Sequence, residues 1–327
     1  MWPMLLMRTM TDTSSFSGPQ LPTAARLFEK LPRFLRRHRL MRWWMALTGE
    51  EPVQLVRIRG DAFGYADMGD GFLRLIVIDR DFELDFFALA ESFLENGGVF
   101  LDVGANYGLL SLGLAATHAE RVDFHLFEPN PKLVAAIERS IALYPRMRYT
   151  LTHAAVADRE GVVPFFFDEQ QSGTSHISED GENSVASITL DHYLERAQIS
   201  RVELLKIDVE GYELVALRGA QHSLETKAIQ AIYFEYCEKW LIRAQPPREL
   251  LEYLEASGYE VCFCRPDNLR SYGGPTHTIR HGLAGRGVSL LPVHGHSLPA
   301  MTDLLAVPRE NLVMNKGGSR KQKVETR

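Results

Sequence analysis

The chain has 327 residues, 45% of them hydrophobic and 24% charged, enough to bury a full core in one main domain with appendages. Its formal net charge of −6 excludes a global attraction to nucleic acid or anionic lipid, so any such attraction has to be local. Three cysteines, Cys237, Cys262 and Cys264, are too few for a disulfide framework and suit a reducing compartment.

In chain order, the opening Met1–Met7 is too short for a signal core and is broken by Arg8, and residues 1–25 read as a disordered N-terminus. Residues 26–80 read as a basic amphipathic helix followed by an entry hairpin. The helix, 26–48, interleaves Leu27, Phe28, Leu31, Phe34, Trp43 and Trp44 with Arg33, Arg36, Arg37, Arg39 and Arg42. Such a helix can lie on an anionic membrane surface or pack its aromatic face on the domain, and Pro32 favours packing. The hairpin is expected from Val53–Arg59 and Phe72–Ile78, joined at Gly69-Asp70-Gly71. A helix over Phe82–Leu94 then leads into the main domain, expected to run over 81–295.

Val99–Val103 reads as a strand, Gly104 to Gly108 as a tight turn, and the leucine-rich stretch after it as a helix. Gly104 and Gly108 let backbone and ligand approach closely, and the free N–H groups of the helix start favour acceptor atoms. Val122–Phe127 is a second strand, ending in Glu128-Pro129-Asn130-Pro131. An acid at the tip of strand two can accept hydrogen bonds from ribose hydroxyls. The Gly-x-x-x-Gly spacing lacks the middle glycine of the dinucleotide fingerprint, so the pair favours S-adenosylmethionine over NAD. Pro131 opens a helix over Leu133–Leu143.

Tyr149–Val156 reads as strand three and Val162–Phe167 as a further strand. Between them Val156, Ala157 and Asp158 are candidates for an adenine wall. Gln171–His176 is a polar loop, Glu179–Asn183 an acidic lid candidate, and Thr189 an N-cap. Val202–Ile207 is dense and apolar, as a central parallel strand covered on both faces should be. Lys206, Asp208 and Glu210 alternate through its end, where ligands of open α/β sheets bind. A helix over Tyr212–Leu224, a strand over Ile229–Phe234 and a helix over Arg248–Ser257 follow, the last closed by Gly258. Strands are expected at Tyr259–Arg265 and, finally, Val288–Pro292. Residues 296–327 read as a C-terminal extension with a basic disordered tail. His277, His281, His294 and His296 lack the spacing of a metal site, and no apolar run of about 18 residues predicts a membrane span.

Asp102-Val-Gly-Ala-Asn-Tyr-Gly108, Phe127-Glu-Pro-Asn-Pro131 and Leu205-Lys-Ile-Asp-Val-Glu-Gly-Tyr-Glu213, in that order, resemble the FkbM-type S-adenosylmethionine-dependent methyltransferases over roughly residues 90–265. The resemblance implies an α/β fold of the Rossmann-like class I type, with a mostly parallel seven-stranded sheet and helices on both faces. It also implies methylation of hydroxyls on sugars, glycans, polyketides or related metabolites, in an enzyme expected to be cytoplasmic. In that family a Gly/Ser/Thr segment like 171–176 lies near the active-site mouth, where His176 departs from the small hydroxyl residue expected.

The expected cofactor residues are Asp102, Gly104, Ala105, Asn106, Gly108, Glu128, Asn130, Val156 and Asp158. Asp208, Glu210 and Glu235 are the candidate catalytic carboxylates, in that order, with His176 or His153 as further candidates for general base. Lys206 and Glu210 can equally form an ion pair. A magnesium site on Asp208 and Glu235 is a weaker alternative, and no metal is expected. The expected partner is a small-molecule or glycan acceptor, with membrane contact confined to the 26–48 helix. A nucleotide-binding oxidoreductase and a non-catalytic membrane-associated assembly module are the competing classes. Nucleic-acid methylation is disfavoured by the acidic charge and by the lack of an Asn-Pro-Pro-Tyr motif.

Overall fold

The computed structural model describes residues 51–71, 83–264, 277–279 and 289–314, together with Trp43, Leu47 and Gly49. The expected Phe72–Ile78 strand, the basic tail and most of the 26–48 helix lie outside these residues. Trp43 and Leu47 are helical and 62% and 64% exposed.

Among the described residues the main sheet contains ten strands in the order β16-β13-β14-β12-β15-β11-β10-β3-β4-β5. Its parallel half is β3 (Gly98–Val103), β4 (Val122–Phe127), β5 (Arg148–Thr152), β10 (Leu204–Ile207) and β11 (Ile232–Cys237). The other half is β12 (Tyr259–Phe263), β13 (His277–Ile279), β14 (Ser289–Pro292), β15 (Met301–Pro308) and β16 (Leu312–Met314). β15 runs antiparallel to both β11 and β12, between which it lies. The sheet is therefore mixed, and three edge strands extend it beyond the seven expected. β15 also falls past residue 296, in the stretch read as an extension. Its Leu304–Val307 run is buried on both sides, so no alternation marked it as a strand.

Eight helices among the described residues flank the sheet: α1 (Leu84–Leu94), α2 (Leu109–His118), α3 (Pro131–Ile141), α4 (Leu190–Arg196), α5 (Glu213–Arg218), α6 (Gln221–Glu225), α7 (Glu238–Leu241) and α8 (Pro247–Ala256). Alternation along the strands sends Phe100, Phe124, Leu204 and Tyr233 into one core with α1, α2 and α3. Leu101, Val103, Phe127, Leu205 and Phe234 go into the other, with α4, α5 and α8. Helices thus cover both faces, as the α/β reading requires. None of the described helices is long and apolar enough to cross a membrane.

One strand is new, and two expectations about elements are corrected. Among the described residues β1 (Val53–Arg59) pairs with β2 (Ala62–Asp67), a strand the sequence reading did not name, through a turn at Gly60-Asp61. β2 is rich in alanine and glycine because it lies against α2: a Cβ on Gly64 would sit 3.1 Å from Leu112. Strand three breaks at His153-Ala154, leaving β5 in the large sheet and β6 (Ala155–Val156) in a second one. That sheet has the order β6-β9-β7-β8, with β7 (Gly161–Phe166), β8 (His176–Ile177) and β9 (Asn183–Ile188). The single helix over Tyr212–Leu224 is two, α5 and α6, parted at Gly219, where a Cβ would lie 2.1 Å from the Ala157 carbonyl oxygen.

Candidate active site

The bend after β3 is pinned to the end of β4 by two bonds, in which the Gly104 and Ala105 amides both donate to the Phe127 carbonyl at 3.1 and 3.0 Å. Gly104 adopts φ 74°, and a Cβ there would lie 1.9 Å from the Asp208 carbonyl oxygen. Replacing Gly104 with alanine is therefore expected to cost more than the roughly 1–2 kcal/mol of a left-handed L-residue, because backbone must also shift. Thermal melting checks this; an unchanged midpoint would mean that β3 and β10 separate freely. Gly108, at φ 69°, starts α2.

Glu128 closes the seat. Its Oε2 accepts from the Asn106 amide and its Oε1 from the Asn130 amide, both at 2.8 Å, so one buried carboxylate clamps the two strand-end loops together. Burial pushes this carboxyl up to about 7, against the pull of the two amides and of Lys206. Asn130 caps α3 through the Lys132 amide at 2.9 Å.

Asp102 is completely buried, accepts from Ser111 Oγ at 2.7 Å and lies 3.4 Å from Lys206 Nζ. Lys206 donates to the Gly104 carbonyl at 2.7 Å and stands 3.7 Å from Asp208 Oδ2. Burial alone would depress its ammonium; Asp208 and Asp102 outweigh that and hold it above the ordinary lysine value. The ion pair entertained for Lys206 thus goes to Asp102 and Asp208, and Arg243 donates to the Glu210 backbone carbonyl at 3.0 Å.

Glu210 sits at φ 56° on the loop after β10, and Glu235 is on the end of β11. Burial and the neighbouring Asp208 push both carboxyls up to about 9. The last acid of the motif, Glu213, has a structural job. Buried at 1% exposure, it accepts from the Val209 and Gly211 amides at 3.0 and 3.2 Å and so fastens the loop that presents Glu210.

Two residues outside the expected set hold the cofactor-side bend. Asp70 is buried, accepting from the Tyr107 hydroxyl at 2.9 Å and from the Ser172 amide at 3.1 Å. Ser172 Oγ is paired with the Asn106 side chain at 3.1–3.2 Å. In the sequence Asp70 carries only the mark of a turn residue, and the fold alone brings it to Ser172, 102 positions along the chain. Val156 is buried in the core on the α4 face, while Asp158 is 39% exposed and 3.8 Å from Arg159. His176 and His153 each bond a backbone carbonyl, of Thr174 and Pro129. Among the described residues no three His, Cys, Asp or Glu side chains gather as a metal-ligand set.

The Methyltransferase FkbM domain matches residues 102–261, which hold every residue of this site named above except Asp70. The 2-O-methyltransferase NoeI of Sinorhizobium fredii is 30% identical over 176 residues, covering 48% of this chain and 70% of its own. The chain belongs to the FkbM methyltransferase family. Hexuronic acid methyltransferase AglP of Haloferax volcanii is 28% identical over 165 residues, 48% of this FkbM chain and 62% of AglP, under two thirds of that relative's length. The solved FkbM methyltransferase of Methylobacillus flagellatus aligns over 65% of this chain and 44% of its own, with 16% identity and a TM-score of 0.41.

Proposed function

We propose that this chain transfers a methyl group from S-adenosylmethionine to a hydroxyl oxygen of a sugar or glycan. The observation that carries the proposal is the placing of two carboxylates on the strand ends that flank β3 and its bend: Glu128 after β4, clamped beside the bend, and Asp208 after β10, whose backbone carbonyl abuts Gly104. The donor set fits an adenosine. Each Glu128 oxygen accepts one amide and keeps a lone pair for a ribose hydroxyl, and the bend offers close backbone approach. When bound, S-adenosylmethionine supplies an electrophilic methyl on sulfur.

The chain's own residues then have three tasks. The Gly104–Gly108 bend and Glu128 fix the cofactor end, and alignment of this kind is worth roughly 7–11 kcal/mol of a barrier. Asp208, partly exposed and paired with Lys206, takes the proton of the acceptor hydroxyl, a contribution of about 10²–10⁴-fold. Glu210 and Glu235, with carboxyls near 9, keep their protons at neutral pH and serve as donors that orient the acceptor, not as bases. The names of the two relatives, a 2-O-methyltransferase and a hexuronic acid methyltransferase, support an oxygen acceptor on a sugar.

The test has two arms. Calorimetry should show that the folded chain binds S-adenosylmethionine, and mass spectrometry should show singly methylated products from a panel of hexosides and uronides. Asp208→Asn should cut turnover about 10²–10⁴-fold with cofactor affinity retained. A folded chain that ignores the cofactor, or an Asp208→Asn variant at full rate, defeats the respective part.

A further inference from the structure

Beside the carboxylates lies a group of rings that the transfer step does not use. Tyr212, two residues after Glu210, stacks with His176 of β8 at a centroid separation of 6.4 Å and an interplanar angle of 29°. Phe166 of β7 approaches the same imidazole at 5.5 Å and is itself 45% exposed. On the other side of the Glu210 loop, α7 presents Trp240, whose carbonyl would meet a Cβ on Gly211 at 2.2 Å. Arg243 lays its guanidinium 4.2 Å over the Trp240 ring while donating to the Glu210 carbonyl. Three chain segments far apart in sequence thus converge on one loop, and each brings a half-buried or exposed ring to it. Packing alone gives no reason for this, since a core would have covered the rings.

We infer that Tyr212 and His176 form the acceptor platform, on which the C–H face of a pyranose ring stacks, while Arg243, held with Lys239 over the Trp240 ring, bonds its hydroxyl or carboxylate substituents. The inference rests on the methyltransferase reading and names the part of the site that selects its sugar. A pyranose is amphipathic in the matching way. Its axial C–H bonds carry partial positive charge suited to the negative face of an aromatic ring, and its rim carries hydroxyls. The guanidinium provides a fork of donors for that rim. Burial, with Arg243 nearby, holds the His176 imidazole below its ordinary value, so at neutral pH it offers an uncharged ring. This also accounts for a histidine in a loop where a small hydroxyl residue was expected.

The experiment uses the full chain saturated with S-adenosylhomocysteine, with methyl glucoside and methyl glucuronide as probes in saturation-transfer NMR. Transfer to the ring C–H protons is expected in the wild type, with affinity about tenfold lower in Tyr212→Ala and retained in Tyr212→Phe. Arg243→Gln should weaken the glucuronide more than the glucoside. Calorimetry of S-adenosylhomocysteine on each variant separates the two levels of argument. Loss of cofactor binding by the wild type would overturn the underlying reading. A cofactor-loaded chain that binds neither glycoside, or binds both equally well in Tyr212→Ala, would overturn the platform.

Discussion

Replacing Glu128 with glutamine is expected to weaken cofactor binding by at least about 10²-fold, because hydrogen bonds to a charged acceptor are worth roughly 1.5–3 kcal/mol each and two ribose hydroxyls depend on it. The isosteric amide is also the wrong clamp. Its NH₂ would face either the Asn106 or the Asn130 amide, donor against donor, so the bend would lose one of its two ties. The carboxyl's position near 7 adds a signature. Glu128 must be ionised to accept two hydroxyls as well as two amides, so wild-type affinity should be level above pH 7 and fall as pH drops below it, approaching tenfold per unit. In Glu128→Gln that slope should vanish, which subtracts any titration of the ligand itself. Calorimetry with S-adenosylhomocysteine between pH 5.5 and 8.5 checks both; a flat wild-type profile would remove Glu128 from the ribose.

The parts of this site legible in the sequence are those where one short segment carries its own chemistry. β4 has the bounds Val122–Phe127 expected for it, because Val122, Phe124 and Leu126 alternate into one core while Asp123 and His125 between them are only partly buried. The Gly104–Gly108 bend is marked by residues that sterics demand, and Pro131 with Asn130 marks the start of α3. What escaped notice depends on partners distant along the chain. Ala62–Asp67 looks a poor strand because its small residues exist to let α2 approach, a requirement that α2 alone explains. Asp70 looks like a turn residue until Tyr107 and Ser172 meet it. The order Asp208, Glu210, Glu235 rests on position along the chain, whereas the burial that pushes the latter two carboxyls up to about 9 is a property of the folded loop and has no signal in the sequence.

Lys206→Met should be the most destabilising of the substitutions considered, at about 3–5 kcal/mol, the cost of leaving a buried charge without its partner. Asp102 has no route to water, and without Lys206 its carboxylate keeps only the Ser111 hydroxyl. The same ammonium holds the Gly104 carbonyl at 2.7 Å, so the bend loosens with it and cofactor affinity should fall in the fraction that remains folded. Methionine fills most of the space of the lysine stem, which isolates the charge from a cavity effect. The double variant Asp102→Asn/Lys206→Met removes both charges. It should recover much of the loss, giving a coupling energy of 0.5–3 kcal/mol in a double-mutant cycle, the range of roughly contacting pairs. Denaturant melts of the four proteins measure it. Additive single effects would mean that Asp102 and Lys206 stabilise the fold independently, and that the cation at the end of β10 serves the acceptor side through Asp208 alone.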